Sequence, residues 1–133
     1  MLVEELELDM TKKIAAIPFT QVELTGGLWQ ELMTTNREVG IPFQYEQCRK
    51  TGRLDAFKLK ERKGCGEIHF FWDSDVAKWI EAAAYSLASH PDPTLERRVD
   101  RVVRDMEKTQ APDGYLNLHF QAYRLDQRWT DLR

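Results

Sequence analysis

Two carboxylates, Asp73 and Asp75, follow directly on Trp72 in the run Phe71-Trp72-Asp73-Ser74-Asp75. Carboxylates beside an indole can hydrogen-bond sugar hydroxyls or serve as acid and base. The same residue types at the start of a helix satisfy its unpaired N–H groups and the positive end of its dipole. Paired catalytic carboxylates of glycosidases usually sit on different elements, about 5 to 9.5 Å apart, so this spacing favours capping over catalysis. A second group, Tyr115, Asn117 and His119, alternates with Leu116, Leu118 and Phe120. An aromatic plane, an amide and a ring nitrogen together suit a sugar, and the same pattern suits a solvated edge strand.

Metal chemistry has less to stand on. Cys65 and His69 are four residues apart and Cys48 could add a third ligand, but Gly64 and Gly66 disfavour a helix there. A tetrahedral zinc site would still lack ligands, and no metal site is expected within the chain. His90 lies in a Pro-bounded turn and reads as a surface residue. No phosphate-binding Gly-rich loop, nucleophile elbow or Cys-x-x-Cys pair occurs.

The elements that must position these residues follow from periodicity and punctuation. Ile17, Phe19, Val22 and Leu24 suggest a short N-terminal strand over 17–24 whose alternation slips once. After Thr25-Gly26-Gly27, the residues Leu28, Leu32 and Met33, with Trp29 beside them, predict a helix to about Val39, stopped by Gly40. Pro42 fits a first turn, and Phe43, Gln47 and Cys48 continue at helical spacing until Gly52. The charged stretch 53–66 reads as an exposed connection. From Trp72, the residues Val76, Ala77, Trp79, Ile80, Ala83, Ala84 and Leu87 predict a buried amphipathic helix. Asp92 and Pro93 then suit the N-cap and first position of another, with an apolar stripe of Leu95, Val99, Val102, Val103 and Met106. So short a connection makes the pair an antiparallel hairpin. Ala111-Pro112-Asp113-Gly114 is a turn, and an extended segment is expected from Tyr115 onward.

Composition bounds the class. The chain has 133 residues, with 19 Lys+Arg against 22 Asp+Glu for a net charge of −3, which argues against nucleic acid or an anionic membrane as partner. The basic residues between Arg97 and Lys108 alternate with Glu and Asp, as on a solvated helix face. Apolar residues at 42% and charged ones at 31% fit a globular domain. No apolar run approaches the roughly 18 to 20 residues that cross a bilayer. Glu4, Glu5, Glu7 and Asp9 stand where a secretory signal needs basic and apolar residues. Two cysteines in such a chain suggest reduced thiols and a cytoplasmic location.

Several motifs in order resemble one family. The run from Phe71 to Tyr85 (FWDSDVAKWIEAAAY) is similar to the signature helix near the start of glycoside hydrolase family 127, the β-L-arabinofuranosidases. Gln110-Ala111-Pro112-Asp113-Gly114-Tyr115-Leu116-Asn117 resembles that family's next block, and Asn36-Arg37-Glu38 with Thr51-Gly52-Arg53-Leu54-Asp55 resembles the segment upstream. The resemblance extends from about Phe19 to Arg133. Ala56 stands where the family pattern has Asn, and Leu118-His119 where it has Thr-Tyr.

The resemblance implies a mainly α fold, the opening part of an (α/α)6 barrel. On that reading residues 1–133 are a single partial domain, with a leader over 1–16 and a family-like region over 17–133. The family's acid/base Glu, nucleophilic Cys and zinc ligands lie downstream of the blocks present here. No catalytic residue and no metal ligand is therefore expected in this chain, and zinc is expected only in the intact family enzyme. There the resemblance implies retaining hydrolysis, in which a zinc-bound thiolate attacks the anomeric carbon and a Glu protonates the leaving oxygen. Trp72, Asp73, Asp75, Tyr115 and Asn117 are the candidates for residues near an arabinofuranoside or shaping the pocket wall. The alternative is a non-catalytic helical module that binds carbohydrate or protein. Four or so helices cannot close a barrel, so apolar surface on the Trp79 and Val102 helices is expected to stay partly uncovered and to favour self-association.

Overall fold

The computed structural model describes residues 15–59 and 66–130. Most of the leader segment and Cys65 lie outside the described residues. Among those described the regular structure is helical. Helix α1 (Gly27–Thr35) passes without a break through a π-helical turn, Asn36–Gly40, into α2 (Ile41–Lys50). Helices α3 (Trp72–Ser89) and α4 (Pro93–Thr109) form the expected hairpin, and a short α5 (Leu118–Tyr123) follows.

Gly40 does not stop the first helix, contrary to the sequence expectation. Its φ of −60° and ψ of −56° are helical. The device that keeps the helix running is the wide turn before Pro42. A proline in a helix interior has no N–H for the carbonyl four residues back, here Glu38, and its ring crowds that carbonyl. The π turn relieves both problems by shifting the bonding, so that Ile41 N–H donates to Asn36 O five residues back.

The 17–24 segment is not a strand. Phe19–Gln21 is a single 3-10 turn, flanked by extended backbone at Pro18 and Val22, and all of Ile17, Phe19, Val22 and Leu24 are exposed. An extended segment becomes a strand only when a neighbouring backbone takes up its hydrogen bonds, and Gln21 and Val22 instead donate locally to Pro18 O and Phe19 O. Likewise the residues after Tyr115 turn into α5. Asn117 Oδ1 accepts from Phe120 N at 3.1 Å while Gln121 Oε1 accepts from Asn117 N at 3.0 Å. This reciprocal cap outweighs the alternating pattern.

The hairpin itself follows from local chemistry. Asp92 Oδ1 accepts from Thr94 N at 2.7 Å and from Leu95 N at 3.3 Å, capping α4 ahead of Pro93. Gly114 N donates to Ala111 O at 2.8 Å in the expected turn, with Gly114 at φ 86°.

The core lies where α2, α3 and α4 meet, around Ile41, Tyr45, Cys48, Val76, Trp79 and Val102. Trp79 stands at its centre: its Nε1–H donates to Ile41 O at 3.0 Å and its ring lies 5.0 Å from that of Tyr45. The stretch after α2 is less exposed than its charge suggested, because Ala56 and Phe57, in a 3-10 turn over Asp55–Lys58, are buried. Thr109 ties that turn to the end of α4 by donating to Phe57 O.

Trp79 and Val102 themselves are buried, but their helices keep apolar surface uncovered as expected, with Tyr85 of α3 56% exposed and Val103 of α4 exposed as well. A further exposed apolar face is that of α1, where Leu28 is 63% and Trp29 68% exposed, with Leu32 and Met33 beside them. On α4 Val103 points outward, away from the Leu95 and Val102 stripe. The hairpin finds its cover in α2, whereas α1 has no helix on its outer side among the described residues.

Candidate functional site

A cleft of 570 Å³ runs between α2 and α3. One wall is built by a stripe along the long first helix: Asn36, Gly40, Gln44, Gln47 and Thr51. These positions recur every three or four residues and so share one helix face. The opposite wall is Asp75, Lys78 and Ala82 of α3, at the same kind of spacing, and Ile41, Cys48 and Trp79 also line the cleft.

The polar groups fall into two kinds. Arg53 and Asp75 neutralise each other, with Nε to Oδ2 at 2.8 Å, and Arg53 also donates to Thr51 Oγ1 at 2.8 Å. The guanidinium carbon lies 5.4 Å from the Trp72 ring centroid, so indole, guanidinium and carboxylate form one continuous group, of which Arg53 and Asp75 line the cleft and Trp72 stands behind them. The side-chain amides of Asn36, Gln44 and Gln47, by contrast, have no hydrogen-bond partner among the described residues. A carboxamide both donates and accepts, as a sugar hydroxyl does, so three of them along an apolar floor suit a neutral polyhydroxylated ligand.

Asp73, Tyr115 and Asn117 lie elsewhere, where α3 meets the chain leading into α5. Asp73 Oδ1 accepts from Ser74 N at 2.8 Å and its Oδ2 from Leu118 N at 3.2 Å. Neither carboxylate caps α3 from the N-cap position, which is held by Phe71. Burial pushes the Asp73 carboxyl above its ordinary pKa, and the two N–H bonds oppose that shift without reversing it. Asn117 Nδ2 donates to Phe70 O at 3.2 Å. Tyr115 is enclosed by the Trp129 ring, centroids 4.7 Å apart, and by the Arg128 guanidinium at 5.0 Å. Burial raises its phenol pKa. His119 Nδ1 is 2.7 Å from Ile68 O in a cluster of aromatic rings.

Of the five residues singled out in the sequence, the structure therefore brings Trp72 and Asp75 together around Arg53, and Asp73 and Asn117 together at the α3–α5 joint. Sequence reasoning missed the amide stripe and Arg53 as site residues. The spacing of Asn36, Gln44 and Gln47 was visible, but the supposed stop at Gly40 divided it between two helices.

No three His, Cys, Asp or Glu side chains gather to hold a metal among the described residues. The donor set here does not fit zinc. Cys48 is buried against the cleft, and burial raises its thiol pKa, which disfavours the thiolate that metal binding or nucleophilic attack requires.

Comparison with known proteins decides the family. The model of the β-L-arabinofuranosidase GH127 catalytic domain matches residues 21–132. The chain belongs to the GH127 family. Over 51 residues it is 53% identical to the non-reducing end β-L-arabinofuranosidase of Bifidobacterium longum subsp. longum, a match covering 38% of this chain and 8% of that protein. Two solved GH127 enzymes are similar in fold. One, a β-arabinofuranosidase, superposes with a TM-score of 0.72 at 35% identity over 80% of this chain and 17% of its own. The other, a β-L-arabinofuranosidase from Geobacillus stearothermophilus T6, gives 0.73 at 32% identity over 80% and 18%. The GH127 chain described here thus spans a small part of the length of these relatives. Its helices are consistent with part of an α/α barrel. No helix among the described residues is long and apolar enough to cross a membrane.

Proposed function

We propose that this GH127 chain supplies part of the sugar-binding wall of a retaining β-L-arabinofuranosidase, with the bond-breaking groups contributed from outside the described residues. The observation that carries the reading is the cleft between α2 and α3, where unpartnered carboxamides stand over an apolar floor beside a neutralised Arg53–Asp75 pair. Neutral hydroxyls gain hydrogen bonds there without an unbalanced charge to desolvate. Trp72 and Asp75 shape the cleft's end through Arg53, whereas Asp73, Tyr115 and Asn117 hold the neighbouring joint in place. The zinc that the family resemblance implies belongs, on this proposal, to other residues.

Two measurements test the reading. Titrating the chain with methyl β-L-arabinofuranoside while recording amide NMR spectra should shift resonances of Gln44, Gln47 and Arg53. The purified chain should release no aglycone from an aryl β-L-arabinofuranoside. Zinc-dependent turnover by the chain alone would overturn the assignment of the chemistry to other residues, and an unperturbed cleft at millimolar sugar would overturn the wall assignment.

A further inference from the structure

Resting on the sugar reading of the cleft, we infer that Asn36 is a specificity-determining sugar ligand and that Gly40, acting through the π turn, is the positioning residue that aims it. Three observations meet at this point. The π turn spans Asn36–Gly40 and lies one residue, Ile41, ahead of Pro42, whose missing N–H disfavours regular α bonding there. A β-carbon placed on Gly40 would come within 2.8 Å of Asn36 Oδ1 and 3.7 Å of its Cγ. The carboxamide therefore lies over the glycine, in space that any side chain at position 40 would occupy. Both residues line the cleft, and the Asn36 amide has no hydrogen-bond partner among the described residues.

The helical φ of Gly40, −60°, is open to any residue, so backbone conformation gives no reason for glycine. Alanine would be the better helix former. The absence of a side chain is explained by what lies above it. The glycine leaves that space to the Asn36 amide, which lies at the end of the Gln44 and Gln47 row, where donor and acceptor can engage neighbouring hydroxyls of one ring. A carboxamide suits that pair better than a charged group, because each hydroxyl can both give and take a hydrogen bond.

Replacement of Gly40 tests positioning apart from stability. In Gly40→Ala the clash is with the far end of a flexible side chain, so the fold is expected to persist and its Tm to equal or exceed the parent's. The Asn36 side-chain amide resonances should move even without sugar. Affinity for methyl β-L-arabinofuranoside should fall roughly tenfold, the loss of about one hydrogen bond. Asn36→Ala should lose a similar factor, and Gly40→Ala should cost nothing further in that background. Parent-like affinity in either single variant, or additive losses in the double variant, would overturn the inference. Sugar-dependent shifts at Gln44 and Gln47 that leave Asn36 unmoved would also overturn it, with the sugar reading intact. No sugar-dependent shift at any cleft residue would overturn both.

Discussion

Asp73 holds a partly buried carboxylate by two backbone N–H donors, one from its own turn and one from Leu118 at the start of α5. Desolvation raises its folded pKa above the ordinary 3.8, the two N–H bonds notwithstanding. The sign of its pH dependence follows. A carboxyl whose pKa is higher folded than unfolded contributes its full stability below the unfolded value, and loses it as pH rises through the folded value. Urea-unfolding free energy of the parent should therefore fall relative to that of Asp73→Asn as pH increases from 3.8 through the raised folded pKa. Parallel pH profiles for the two proteins would remove Asp73 as the source. Arg53 and Asp75 belong to a different case, because both side chains retain about a third of their exposure. Water and salt screen such a pair, and a double-mutant cycle should give a coupling of about 0.2–1 kcal/mol, weakening at high salt.

At the scale of elements, the short α5 depends on its cap more than on its length. Its six residues are fewer than an isolated helix needs, and the Asn117–Phe120 and Gln121–Asn117 bonds, with Gln121 Nε2 donating to Thr109 O at 2.8 Å, fix its start. Asn117→Ala should cost about 1 kcal/mol and should raise amide exchange rates across Leu118–Tyr123 ahead of those in α3. Asp92→Ala should cost a similar amount at the start of α4, of the order of 1 kcal/mol, with its exchange effect confined to the first turn. Calorimetry and hydrogen exchange check both. The hairpin and its cap were legible in the sequence because Asp92, Pro93 and the apolar stripe act within a few residues of one another. The π turn was not, since a glycine and a proline two apart ordinarily punctuate a helix. Here the wider turn lets Pro42 sit inside it.

Across the whole molecule, apolar cover is uneven. The α2–α3–α4 junction encloses Trp79, while α1 presents Leu28, Trp29, Leu32 and Met33 to solvent. A contiguous apolar face of that kind is costly in water, at about 25 cal/mol per Å². It favours association, here proposed as self-association through α1. Light scattering should show mass rising with concentration, and Tm should rise with it. Trp29→Lys with Leu32→Lys should abolish that dependence while leaving far-UV helicity unchanged. A strictly monomeric parent with a concentration-independent Tm would refute the association.

The sequence by itself determined the helices whose signals are local, the hairpin and its turn, and, through motifs in order, the GH127 family. Tertiary structure alone decided which apolar stripe is covered, that 17–24 finds no strand to pair with among the described residues, and that Tyr115 is enclosed by Arg128 and Trp129. It also joined Asn36, Gln44 and Gln47 into one wall opposite Asp75. The reason is physical. Caps and periodicity are settled by neighbours along the chain, whereas burial and the pairing of polar groups depend on whatever residues packing brings near, beyond the reach of a single turn.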